Sequence, residues 1–112
     1  MDTSMNNYRR CIQVLLGELV AQGPTTNGIE SQLLIDPVGD HYQWMRVGWN
    51  DSHRVYHVLI HFDIKDGKVW IQQNMTDSNL TELLVKAGVD RADIVLGLQP
   101  IYKRNLSCLV VA

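Results

Sequence analysis

Three features of this chain predict an α+β fold, with one long helix packed on an antiparallel β-meander, then short helices and a C-terminal strand. Apolar residues recur at steps of three and four near the N-terminus, as an amphipathic helix requires. Apolar and polar residues alternate through the middle of the chain, as strands require. The dipeptide Asp66-Gly67 stands between two such alternating runs, and its backbone accepts the two positive φ angles of a type I′ hairpin turn.

The helix is expected from about Met5 to Gln22, with Tyr8, Cys11, Ile12, Leu15, Leu16, Leu19 and Val20 on its buried stripe. Asp2, Thr3 or Ser4 can cap its start, and Gly23-Pro24 supplies a left-handed stop. Arg9, Arg10, Gln13 and Glu18 fall on the opposite face and read as solvated. Gly17 marks either a small cost or a close approach by another element. Ile29 to Asp36 reads as a strand with Ile29, Leu33 and Ile35 on one side, and Asp36-Pro37-Val38-Gly39-Asp40 as a turn. His41 to Trp49 alternates again, and Asn50 to His53 form a loop into a strand that starts at Arg54.

Register follows from the turns. With Asp66 and Gly67 at the tip, Lys65 faces Lys68, Ile64 faces Val69, Asp63 faces Trp70, Phe62 faces Ile71 and His61 faces Gln72. On the other side of that strand, Trp49 faces Arg54, Val47 faces Tyr56, Arg46 faces His57 and Met45 faces Val58. A four-stranded meander with these registers has a core face of Met45, Val47, Trp49, Tyr56, Val58, Ile60, Phe62, Ile64, Val69 and Ile71. Its second face collects Trp44, Arg46, His57, Leu59, His61, Asp63, Trp70 and Gln72. Tryptophans and a leucine among polar groups suit a covered surface, so these eight residues are the expected partner-binding set.

After the meander, Thr76 or Asp77 can cap a short helix containing Leu80, Leu83, Leu84 and Ala87, which Gly88 ends. Asp90-Arg91-Ala92-Asp93 reads as one capped turn in which Asp93 returns the capping bond. Ile94 to Gly97 reads as extended, Pro100 to Asn105 as polar and irregular, and Leu106 to Val111 as a last strand with a docked end.

Composition narrows the function. The 112 residues, 46% hydrophobic and 20% charged, describe one ordinary globular domain. A net charge of −2 argues against binding that neutralises many phosphates. Cys11 and Cys108 fit no metal-ligand spacing and read as buried thiols, which fits a reducing compartment. No apolar run reaches the roughly 20 residues that span a bilayer. The N-terminus lacks the basic-then-apolar order of a signal peptide, so a cytoplasmic location is expected.

Candidate chemistry is sparse. His57 and His61 would share a helix face, but on a strand they stand roughly 13 Å apart, too far for one ion. His61 and Asp63 lie about 6.5 Å apart on one face. They can begin an acid–base pair, yet no nucleophile or metal is assignable beside them, and a polar network with Trp70 and Gln72 accounts for them. Asp36, Asp40 and Asp63 could serve a hard cation, although the first two flank a turn where aspartate is a structural choice. No phosphate loop is present, and Lys103-Arg104 is too small a basic step to be a nucleic-acid footprint. No metal, cofactor or catalytic residue is therefore expected.

Several stretches together resemble the XisI family, the cyanobacterial fdxN element excision controlling factors. They are Asp40-His41-Tyr42-Gln43, Val47-Gly48-Trp49, Ile60 to Gln72, Leu83 to Gly88, Asp93 to Gly97 and Val110-Val111-Ala112. The resemblance runs from the first helix to the C-terminus. It implies a non-enzymatic accessory factor for programmed excision of a DNA element during differentiation of nitrogen-fixing cells, with the excision performed by a separate recombinase. It also implies a protein partner of the nuclease-like XisH type, and self-association into a homo-oligomer is expected beside it. Direct DNA binding through Arg46, Lys103, Arg104 and the first helix is the alternative, and a metal-dependent hydrolase using His61 and Asp63 a third reading. Where relatives tend to read Asp-Gly-Thr after the Trp-Ile-Gln strand, this chain has Asn74-Met75-Thr76.

Overall fold

The structure, a computed structural model, describes residues 3–23 and 25–103. Helix α1 (Thr3–Gln22) leads into β1 (Ile29–Asp36), β2 (His41–Asn50), β3 (His53–Lys65) and β4 (Lys68–Asn74). Helix α2 (Leu80–Ala87), a 3₁₀ turn at Arg91–Asp93 and the two-residue β5 (Ile94–Val95) follow. The strands lie in sequence order, β1-β2-β3-β4-β5. The expected antiparallel meander is present, and β5 extends it by pairing parallel to β4 through Val69–Ile94 and Trp70–Val95. The sheet is therefore mixed, and α2 forms the crossover that parallel pairing needs. The expected strand at Leu106–Val111, the docked tail, Arg104 and Cys108 lie outside the described residues.

The β3–β4 turn forms as its dipeptide dictates, with φ of 55° at Asp66 and 76° at Gly67. The β2–β3 connection is shorter than expected, because Asn50 pairs with His53 and leaves only Asp51-Ser52 as loop.

Two β-bulges redraw the faces of this sheet. Between β2 and β3 the expected register holds from Asn50–His53 to Met45–Val58, then shifts so that Trp44 opposes Ile60. Leu59 is the extra residue. A one-residue slip carries side chains beyond it to the opposite face. Between β3 and β4 the register holds from Lys65–Lys68 to Phe62–Ile71, then shifts so that His61 opposes Gln73 rather than Gln72.

The core lies between α1 and the sheet. Tyr8, Cys11, Ile12, Leu15 and Leu16 of α1 pack with Tyr42, Trp44, Ile60, Phe62, Ile64, Val69 and Ile71, closed by Leu80, Leu84, Val89 and Ile94. The helical stripe is as the periodicity predicts. The sheet half is not, since Trp44 belongs to the core while Trp49 and Tyr56 leave it, being 54% and 64% exposed.

Local details depart from expectation where a side chain finds a better partner. Arg9 is not merely solvated: its Nε donates to Asp40 Oδ1 at 2.8 Å and its Nη2 to Oδ2 at 3.1 Å. This ion pair ties α1 to the β1–β2 turn. Gly23 ends α1 without a positive φ, and its N–H donates to the Val20 carbonyl. Gly17 has nothing close to it and is only a propensity cost. Asn79, not Thr76 or Asp77, caps α2 by accepting from the Glu82 N–H, while Thr76 donates through both its N–H and its hydroxyl to Asn74. Asp90 caps the 3₁₀ turn as expected. Asp93 does not return the bond, because its carboxylate accepts from the Tyr8 hydroxyl at 2.6 Å.

Candidate functional site

The bulge at Leu59 decides which residues share the second face. Below it, Arg46 and His57 pair on the helix side, and Arg46 is buried. Trp44 joins the core, its ring beside Gly23 and its indole N–H donating to Ser31 at 2.9 Å. Leu59 is half-buried against the core cluster. Four of the eight expected surface residues, Trp44, Arg46, His57 and Leu59, are thus not on the second face as a group. His57 and His61 stand on opposite sides of the sheet.

The other four, His61, Asp63, Trp70 and Gln72, do come together, joined by His41 and Gln43, which lie outside the expected set. The same bulge moves His41 opposite Asp63 and Gln43 opposite His61. Without it, His41 would face Phe62. The signal was present in the length of the two strands, because their alternation stays in phase with the apolar core only if one residue of β3 is extra.

Asp63 is the hub. A carboxylate only accepts, so His41 Nδ1–H donates to its Oδ1 at 2.8 Å and His61 Nε2–H donates to the same oxygen at 2.7 Å. Gln72 Nε2 donates to Oδ2 at 3.1 Å. The remaining nitrogen of His61, Nδ1, meets Gln43 Nε2 at 3.1 Å. The two imidazoles stand edge-on, 6.5 Å between centroids. Burial alone would raise the Asp63 carboxyl, but the hydrogen bonds from His41, His61 and Gln72 together outweigh it and hold the group below the usual carboxylate range. The bond that His41 donates to Asp63 raises the imidazole above its ordinary value.

One flank of this cluster is covered by the chain itself. Leu98 N–H donates to the Ile71 carbonyl, which lays residues 96–98 across β4. Gly97 sits so close that a Cβ there would meet Gln72 Oε1 and, at 3.1 Å, the Trp70 ring. Trp70 is half-buried, donates its indole N–H to the Lys65 carbonyl at 3.2 Å and lies under the Lys65 ammonium at 4.4 Å. The other flank is open: His41 is 59% exposed against 16% for Asp63.

Asp36 and Asp40 each have structural partners. Asp36 Oδ1 accepts from the N–H groups of Val38 and Gly39. Asp40 accepts from Arg9 and from the Tyr42 hydroxyl.

At the far end of the second face, Trp49, Arg54 and Tyr56 form an exposed group. The Arg54 guanidinium lies 5.4 Å from the Trp49 ring and 5.7 Å from the Tyr56 ring. The second face does mix aromatic rings with polar groups, but its exposed aromatics are Trp49 and Tyr56, and Trp44 is in the core.

The fold and these sequence blocks have known counterparts. The family model described as XisI protein matches residues 1–111. A crystal structure of a XisI-like protein from Anabaena variabilis is 48% identical, with a TM-score of 0.86 over 91% of this chain and 94% of that one. A second, of the fdxN element excision controlling factor XisI from the same organism, is 28% identical, with a TM-score of 0.79 over 94% and 96%. No curated protein matches significantly. No helix among the described residues is long and apolar enough to cross a membrane. A match along nearly the whole sequence, on a shared helix-and-mixed-sheet architecture, makes this chain a member of the XisI family.

Proposed function

We propose that this chain is a non-enzymatic control factor for excision of a DNA element, and that it works by binding a protein partner through the second face of its sheet. The excision role is supported by the family and by the name of its relative from Anabaena variabilis. The observation that carries partner binding is the exposed Trp49–Arg54–Tyr56 group. Tryptophan, tyrosine and arginine are the residue types that dominate interface energetics. Here they are presented on rigid strands with large apolar area still facing water. A nuclease-like XisH-type protein is the partner that the family resemblance implies.

Direct DNA binding has less support. Arg46 is buried and so is withdrawn from any phosphate, and the chain is net acidic.

Co-expression with an XisH-type protein, followed by affinity capture, tests the reading. Wild type is expected to co-purify, while Trp49→Ala and Tyr56→Ala lose most of the partner. Capture at wild-type level by both folded variants would move the interface off this patch.

A further inference from the structure

We infer that His41, His61 and Asp63 form a binding site for one first-row transition dication, with Zn²⁺ as the reference ion. His41 Nδ1, His61 Nε2 and the Asp63 carboxylate lie within 4.8 Å of one another. Two imidazole nitrogens and one carboxylate oxygen are a donor set that suits such an ion and is too nitrogen-rich for Mg²⁺ or Ca²⁺.

The two nitrogen–carboxylate separations need little change to accept the ion. Tetrahedral bonds of about 2.1 Å hold ligand atoms roughly 3.4 Å apart. The present N···O separations are 2.8 and 2.7 Å, so each must open by well under 1 Å. All three side chains come from paired strands, which fixes their origins.

The surrounding amides do what outer groups of a metal site do. Gln72 holds Asp63 by Oδ2 and leaves Oδ1 for the ion. Gln43 sits on His61 Nδ1, the nitrogen that must carry the proton once Nε2 ligates. Without an ion, Gln43 presents its NH₂ and the proton stays on Nε2, facing Asp63. With an ion, the Gln43 amide turns over, its Oε1 accepts from Nδ1–H, and Nε2 offers its lone pair. His41 makes the same tautomeric change with its free nitrogen toward water. The exposure of His41 supplies the entry path and leaves a coordination position facing outward.

Isothermal titration of the chelator-stripped full chain with Zn²⁺ tests it. Wild type is expected to take up one ion per chain, with Mg²⁺ in excess failing to compete. His41→Ala and Asp63→Asn, each checked for a native circular dichroism spectrum, should bind on the order of 100-fold or more weaker, and Gln43→Ala about 10- to 100-fold weaker. His57→Ala, on the opposite side of the sheet, should bind as wild type does. Wild type taking up no Zn²⁺, or uptake unchanged by both His41→Ala and Asp63→Asn, would overturn the site.

Discussion

His41 stands directly across the β-ladder from Asp63 and donates to its carboxylate, a pairing that exists only because Leu59 is bulged out eighteen positions further along the chain. The same bulge sends Trp44 inward and leaves Trp49 outside. Core, polar cluster and exposed aromatic group are three consequences of one extra residue.

That coupling makes the two tryptophans of β2 an instructive pair. Trp44 is 4% exposed and Trp49 54%. Trp44→Ala should cost about 3–5 kcal/mol in equilibrium denaturation, as removal of a large core side chain does. Trp49→Ala should stay within about 1 kcal/mol of wild type, as surface changes do. An unbulged register would reverse the order.

The Arg9–Asp40 pair sets an acid limit. Arg9 first, and Tyr42 after it, lower the Asp40 pKa despite partial burial. A carboxyl whose folded pKa lies below its unfolded value of about 3.9 stabilises the fold above that value. The contribution is lost as pH falls through the folded pKa. Wild type should therefore be more stable than Asp40→Asn at neutral pH, with the gap closing below about pH 4. Thermal melts of both proteins across that range will show it. A gap independent of pH would mean the ion pair contributes nothing.

Tyr8 joins α1 to the segment that leads into β5. Its hydroxyl donates to Asp93 and accepts from the Asp90 N–H. Burial, followed by the Asp93 bond, raises the phenol pKa. Tyr8→Phe keeps the ring and strands both partners, so it should cost about 1–3 kcal/mol in denaturant midpoint with the slope unchanged. No loss would mean that water replaces the hydroxyl without penalty.

The sequence was most legible where a single local rule acts. The three-and-four spacing of Tyr8 to Val20 located α1, and Asp66-Gly67 fixed the hairpin and the first four pairs of its ladder. Legibility failed at Leu59 and Gln72, because a bulge has no reliable local residue signature and its effect appears only when two strands are laid side by side. An unbulged alternation through Leu59 puts Trp44 and His57 on the face of His61 and would set His41 across from Phe62 rather than Asp63. The caps differ from expectation for a related reason: Asp93 and Thr76 are chemically able to cap, but a tertiary partner (Tyr8) and a local one (Asn74) claim them first. The polar cluster was half visible, since His61 and Asp63 share a strand, whereas His41 and Gln43 reach them only across the ladder.

The most direct test of the functional account is the dissociation constant between the full chain and an XisH-type partner, measured for wild type and Trp49→Ala. A hot-spot tryptophan predicts a loss of about 2 kcal/mol or more, roughly 30-fold in affinity. Equal affinity for a folded Trp49→Ala protein would contradict it.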